Sequence, residues 1–314
     1  MKKILSLLLL SSLILVSANT SVVSAKKSVK VQEFEDSLDL SKEEKERLMN
    51  LGFTEEQIKY MTEDEYEHLK GQKGKVIETE TIYLQLEPGK KPKKVSEDEA
   101  LKGVKEYKEK KEKEKKEKEK KGKKSKGEVS AKVITSDTEE TSWMKVKLYV
   151  TQREDEVGER TGSYKFKYDW EWLVEPNFEL TDAIAITHPE FIDNIVGSEY
   201  NSYRAVYSAA GTRKSVTFTS RSADKKNSNG MAFKVDLITS YNSFDVYEHE
   251  GYMYYDGELN NWNYSSATAY GHYTHVEGDI LGMTLNLVNG NLSVSGVLKT
   301  TEMTDVGVNF KTHD

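Results

Sequence analysis

The sequence predicts a mainly β protein. An antiparallel β-sandwich or irregular barrel is expected over residues 131–314, behind a small helical module (38–89) and a charged helical or disordered tether (90–130). Three observations predict this. Tyr164, Phe166, Tyr168, Trp170 and Trp172 alternate with Lys165, Lys167, Asp169 and Glu171, which places five aromatic rings on one face of a strand. Many short segments rich in β-branched and aromatic residues follow, separated by turn signals, the pattern of an all-β domain. Before them, Ser41 with Glu44, Thr54 with Gln57 and Thr62 with Glu65 have the spacing of three successive capping boxes.

From the N-terminus, Lys2 and Lys3 precede an apolar core from Ile4 to Val16, and Val23, Ser24 and Ala25 supply the small residues a signal peptidase reads. The apolar run is shorter than the roughly 20 residues needed to cross hydrocarbon. Residues 1–25 are therefore expected to be a cleaved signal peptide, with a secreted, extracellular product free of transmembrane segments or held non-covalently at a surface. The chain has no cysteine, which excludes disulfides, thiolate catalysis and thiolate-ligated metals. In composition it resembles secreted proteins of low-GC Gram-positive bacteria.

Helices are expected at 42–51, 55–61 and 63–70. Phe53 and Ile58 flank the Thr54 cap with hydrophobic-staple spacing, as Met61 and Tyr66 flank Thr62. Gly52 suits a left-handed helix end, with Phe53 packing back beyond it. Leu48, Leu51, Phe53, Ile58, Met61, Tyr66 and Leu69 would share a core too small to stand alone. Leu51, Gly52 and Phe53 resemble the loop of ubiquitin-associated domains over those few residues, and no function is carried across.

Residues 75–86 read as one or two strands, pairing with the helical unit or reaching the C-terminal domain, ended by a turn at Pro88 and Gly89. In the tether, Ser96 and Glu99 form a further capping box, and Ala100, Leu101, Val104 and Tyr107 give one apolar stripe. No apolar residue then appears until Val129. Residues 102–126 carry 14 Lys and 6 Glu, whereas 127–314 carry 16 Lys and Arg against 28 Asp and Glu. A basic segment thus joins an acidic domain, suited to solvated spacing or weak contact with anionic polymers. Interspersed Glu and missing aromatics argue against dedicated nucleic-acid binding.

In the C-terminal part, Met144, Val146, Leu148 and Val150 alternate with polar neighbours as a half-buried strand. Further strands are expected near 182–187, 202–208, 214–221, 231–239, 244–255, 266–275 and 304–311, with a short helix near 188–195. Residues 284–295 form a hairpin around Asn289 and Gly290, which pairs Leu287 with Leu292 and Leu285 with Val294.

No motif for acyl transfer, phosphate cradling or dinucleotide binding is present, and no cofactor is implied. His272, His275 and Glu277 are the nearest approach to a metal set, but positions 272 and 275 face opposite sides of a strand. Glu250, Asp256 and Glu258, beside His249, offer carboxylates of the kind glycoside hydrolysis uses. Asp256, Glu258 and Asn260 alternate as calcium ligands do, without the bidentate Glu of an EF-hand. The densest aromatic and amide stretch runs from Tyr252 to Tyr273. Tyr254, Tyr255, Trp262, Tyr264 and Tyr270 are its candidate ligand contacts, because rings beside amides stack on sugars or bind proteins. These features together predict an extracellular, non-catalytic binding protein for a cell-wall polymer, a glycan or another extracellular protein. The alternatives are a secreted carboxylate-dependent hydrolase and a membrane-active toxin or antimicrobial protein.

Overall fold

The computed structural model describes residues 29–33, 38–122, 141–154 and 160–312; the expected signal peptide and the lysine-rich stretch after Gly122 lie outside them. The first elements are β1 (Lys30–Glu33), α1 (Lys42–Asn50), α2 (Glu55–Lys59), α3 (Glu63–Leu69), β2 (Lys73–Leu86), β3 (Lys93–Val95) and α4 (Glu97–Gly122). Strands β4 (Ser142–Glu154), β5 (Arg160–Trp172), β6 (Thr181–Thr187), β7 (Ile192–Asn194), β8 (Tyr200–Ala209) and β9 (Thr212–Ser220) follow. The chain continues through β10 (Lys225–Asn227), β11 (Gly230–Asp236), β12 (Ser240–Tyr241), β13 (Phe244–Leu259) and β14 (Ser266–Val276). It closes with β15 (Ile280–Val288), β16 (Asn291–Val297), β17 (Thr300–Glu302) and β18 (Val306–Lys311).

The helices start where their caps predict. Ser41 and Glu44, and Thr54 and Gln57, exchange both capping-box hydrogen bonds. At Thr62 only half the box forms. The hydroxyl accepts from the Glu65 amide, but the Glu65 side chain turns inward and accepts from the Tyr252 hydroxyl at 2.8 Å. Gly52, at φ 93°, ends α1 as its sequence position requires.

Two antiparallel sheets make a sandwich, open and not closed into a barrel. The larger has the order β1-β9-β8-β13-β5-β4-β2-β3, with β7 and β12 also paired to β13. The smaller has the order β10-β11-β6-β14-β17, with β18 also on β14. All five rings of the β5 ladder point into the space between the sheets. They pack there with Ile184, Ile186, Phe233, Tyr273, Val308 and Phe310 from the smaller sheet.

Each sheet is covered on its far side. Hairpin β15–β16 lays Met283, Leu285, Leu287 and Leu292 on Ala183, Ala185 and Ala232. Its register, Leu287 to Leu292 and Leu285 to Val294, is the one the Asn289–Gly290 turn dictates, both turn residues having positive φ. On the larger sheet, the helical module packs Leu48, Leu51, Phe53, Ile58, Met61 and Leu69 against Tyr200, Tyr252 and Tyr254. The layers are thus helices, large sheet, small sheet and hairpin.

Three expectations change. Strand β2 pairs with β4 along its whole length, from Lys73 opposite Glu154 to Leu86 opposite Ser142, so a boundary at residue 131 does not separate two cores. The tether begins as part of the fold. Ala100, Val104 and Tyr107 of α4 pack with Trp143, whose ring lies where a Cβ on Gly103 would be, while Leu101 faces solvent. Between His188 and Ile195 the chain makes a turn, closed by Ile192 N donating to Pro189 O, and then strand β7, in place of a helix.

Candidate binding groove

The outer face of the large sheet follows from the β5 alternation. Where the rings face inward, Lys165, Lys167, Asp169 and Glu171 face the helices. Antiparallel register extends each into a row across the strands. Lys145, Glu171, Glu250, Arg204 and Thr217 are successive partners in one row, and Lys147, Asp169, Tyr252 and Ser202 in the next. A third runs Tyr149, Lys167, Tyr254 and Tyr200.

The helical module seals the third row. Lys165 and Lys167 are wholly buried beneath it. Lys165 donates to Asp256 at 2.6 Å and sits 4.5 Å from the Tyr254 ring centre. Lys167 bonds Asp169 and Gln57 amid the rings of Phe53, Tyr149 and Tyr252. Burial lowers both lysine pKa values, against the pull of these carboxylates.

The first two rows remain open as the floor of a groove of about 820 Å³. One wall is α2 and its flanks, from Thr54 to Tyr60; the other is the segment from Lys94 to Glu97. Most groove charges are already matched. Arg204 donates from Nε to Glu250 at 2.6 Å and from Nη2 to Glu56 at 2.7 Å, with its guanidinium 4.0 Å from the Tyr60 ring centre. Lys145 lies 3.5 Å from Glu171, Gln57 donates to Asp169 at 3.0 Å, and Tyr83 donates to Glu97 at 2.7 Å. Burial pushes the Glu250 carboxyl up to about 7, with Arg204 opposing. Burial and then Glu97 push the Tyr83 phenol up to about 12.

The residues singled out in the sequence are dispersed. Tyr254 and Tyr255 are fully buried and offer no surface to a ligand. Tyr254 lies between Phe53 and Tyr200 under the helices; Tyr255 points into the sandwich and donates to Ile186 O at 3.1 Å. Trp262, Tyr264 and Tyr270 are 58%, 48% and 40% exposed. Tyr264 stacks on Phe191 at 4.1 Å, and Phe191 and Tyr270 line a shallower pocket of about 580 Å³ with Asn229, Asn289 and Asn309.

The metal candidates have separate partners. His272 lies 2.8 Å from both Asp305 and Thr187, His275 lies 3.0 Å from Asp182, and Glu277 pairs with Lys299 and Thr301. Among the described residues, no three His, Asp or Glu side chains converge on a metal position. Asp256 is buried on β13 between Lys165 and Arg153, so it is no calcium-loop ligand. His249 faces inward between Tyr203 and Glu179, on the opposite face from Glu250. Thr187, His272 and Asp305 form a hydroxyl–imidazole–carboxylate series, but Thr187 is fully buried and donates to Gly290 O at 2.9 Å.

Among the described residues, no helix is long and apolar enough to cross a membrane. No protein-family model matches the chain, and no curated protein matches it. Of the groove residues, Glu250 and Tyr252 stood out in the sequence, and Asp169 and Glu171 only as the charged side of β5. The lining is drawn from eight separated segments, which no local pattern brings together.

Proposed function

We propose that this chain is an exported, non-catalytic binding protein and that its ligand occupies the groove between α2 and the β3–α4 segment. The observation that carries this reading is the groove itself. It combines volume, tyrosine walls and a floor of charges fixed to one another, the make-up of a site that orients a ligand through a few polar contacts. Export rests on the N-terminal pattern of residues 1–25. The partner is a cell-wall polymer, glycan or extracellular protein.

The test is co-sedimentation of the chain from Lys26 onward with purified Gram-positive cell walls across a salt series. It is run beside a Tyr60→Ala, Lys147→Ala double variant, which alters groove positions and spares the sandwich core. Binding that persists in salt and weakens in the variant supports the reading. Binding that salt abolishes and the variant keeps assigns attachment to the lysine-rich helix instead. No binding removes the cell wall as partner.

One observation favours a second reading, carboxylate-dependent hydrolysis. Glu250, with its raised pKa, stands directly across the strand pair from Glu171 in the same groove. Each carboxylate is engaged by a cation, Arg204 or Lys145, which favours binding over proton transfer. Release of reducing ends from wall glycan, lost in Glu250→Gln, would establish hydrolysis.

A further inference from the structure

Two polar atoms in the groove stand apart from its paired charges. Arg204 and Thr217 are 5% and 2% exposed and face each other across β8 and β9. Arg204 Nη1 and Thr217 Oγ1 are buried, and neither has a hydrogen-bond partner among the described residues. A buried donor left unmatched costs free energy that a ligand can recover. Both residues line the groove, beside the Tyr60 ring that stacks on Arg204.

The charge around this corner selects the ligand's class. Arg204 is already held by Glu250 and Glu56, so the corner is not net positive. The groove as a whole is lined by six carboxylates (Glu55, Glu56, Glu97, Asp169, Glu171, Glu250) and four cations (Lys94, Lys145, Lys147, Arg204). A phosphate or carboxylate polymer would meet net negative charge. A cationic ligand would compete with Arg204 and Lys145 for their carboxylates and meet Lys147. A neutral polyhydroxylated chain does neither. One sugar oxygen can accept from Nη1, a neighbouring hydroxyl can pair with Thr217, and the paired carboxylates have lone pairs left for further hydroxyls. The Tyr60 edge supplies apolar area for a sugar face.

Resting on the groove as the binding site, we infer that its ligand is a neutral glycan, anchored at the corner formed by Arg204 Nη1 and Thr217 Oγ1.

The experiment is co-sedimentation of the chain from Lys26 onward with insoluble chitin, cellulose and mannan, and with purified cell walls and teichoic acid as the anionic arms. All are run at low salt and at about 1 M NaCl, where the screening length is about 3 Å. Three variants are compared. Thr217→Val removes a hydroxyl that no described side chain uses, so thermal stability is expected to hold or rise. Thr217→Ser keeps the hydroxyl. Arg204→Lys keeps the positive charge and loses the Nη1 donor.

At least one neutral polysaccharide is expected to retain the chain in high salt. Thr217→Val should weaken that retention about five-fold, Arg204→Lys about ten-fold or more, and Thr217→Ser little, as loss of one neutral or charged hydrogen bond implies. If only the anionic arms bind, and Thr217→Val weakens them, the ligand class is wrong and the groove survives as the site. If a neutral polysaccharide binds equally well to every variant, the corner holds only water and the inference fails. If no probe binds, the inference falls together with the cell-wall reading.

Discussion

Glu65 is the most informative single residue. It sits on a helix whose sequence promises a capping role, yet its carboxyl is fully buried against the large sheet. Among the described residues, only the Tyr252 hydroxyl bonds it directly, and Oε1 has no partner. Lys165 and Lys167 lower its pKa and Asp64 raises it, but burial dominates and pushes it up to about 8 from an ordinary 4.5. A neutral acid suits that place, since a carboxylate would leave a bare charged oxygen in the interior. Between pH 4.5 and 8 the native state therefore holds a proton that the unfolded chain has released, so stability falls as pH rises through that window. Urea denaturation at intervals from pH 5 to 8.5 is expected to show this decline in the wild type and a flatter profile in Glu65→Gln. Parallel profiles would mean that Glu65 is ionised when folded.

At the level of elements, the caps can be tested one by one. Ser41→Ala and Thr54→Ala should each cost about 1 kcal/mol in denaturant unfolding, the usual worth of an N-cap. Thr62→Ala should cost more, because the buried Thr62 hydroxyl also shares a 3.0 Å hydrogen bond with Tyr200. Equal losses at all three would count against docking of the module on the sheet. These caps were legible because each interaction spans three residues. The β15–β16 register was legible for the same reason: an Asn–Gly turn fixes its neighbours. Glu65 was misassigned because its partner, Tyr252, is 187 residues away and competes successfully for the side chain. The expected helix near His188 failed similarly, since Ile192, Asp193 and Asn194 find ladder partners on β13.

For the whole molecule, the sandwich was readable from period-two alternation, and the five rings that alternation puts on one face of β5 lie in the core. Whether Tyr254 and Tyr255 were core or surface was not readable. Adjacent strand residues point to opposite faces, and here both faces are covered, one by the second sheet and one by the helices. Which unit β2 joins was not readable either, because β2 is local in sequence to the helices and distant from β4, its partner. A fragment beginning at residue 131 lacks β1, β2 and β3, leaves β4 as an open edge, removes Ile82 and Leu84 from the core and uncovers Tyr200, Tyr252 and Tyr254. It is expected to aggregate or lack a cooperative melt, whereas the chain from Lys26 melts in one transition. A soluble, cooperatively folded fragment would restore the two-domain division.

The groove is a property of the assembled molecule, since its walls come from the module and from the entry to α4 while its floor is the sheet. Hydrogen exchange read by mass spectrometry, with and without solubilised wall glycan, tests it most directly. Exchange is expected to slow in peptides covering Thr54–Tyr60, Lys94–Glu97 and Tyr200–Ala209, with Trp262–Tyr270 unchanged. Slowed exchange at Trp262–Tyr270 with the groove peptides unaltered would contradict it and move the site to the exposed aromatic surface.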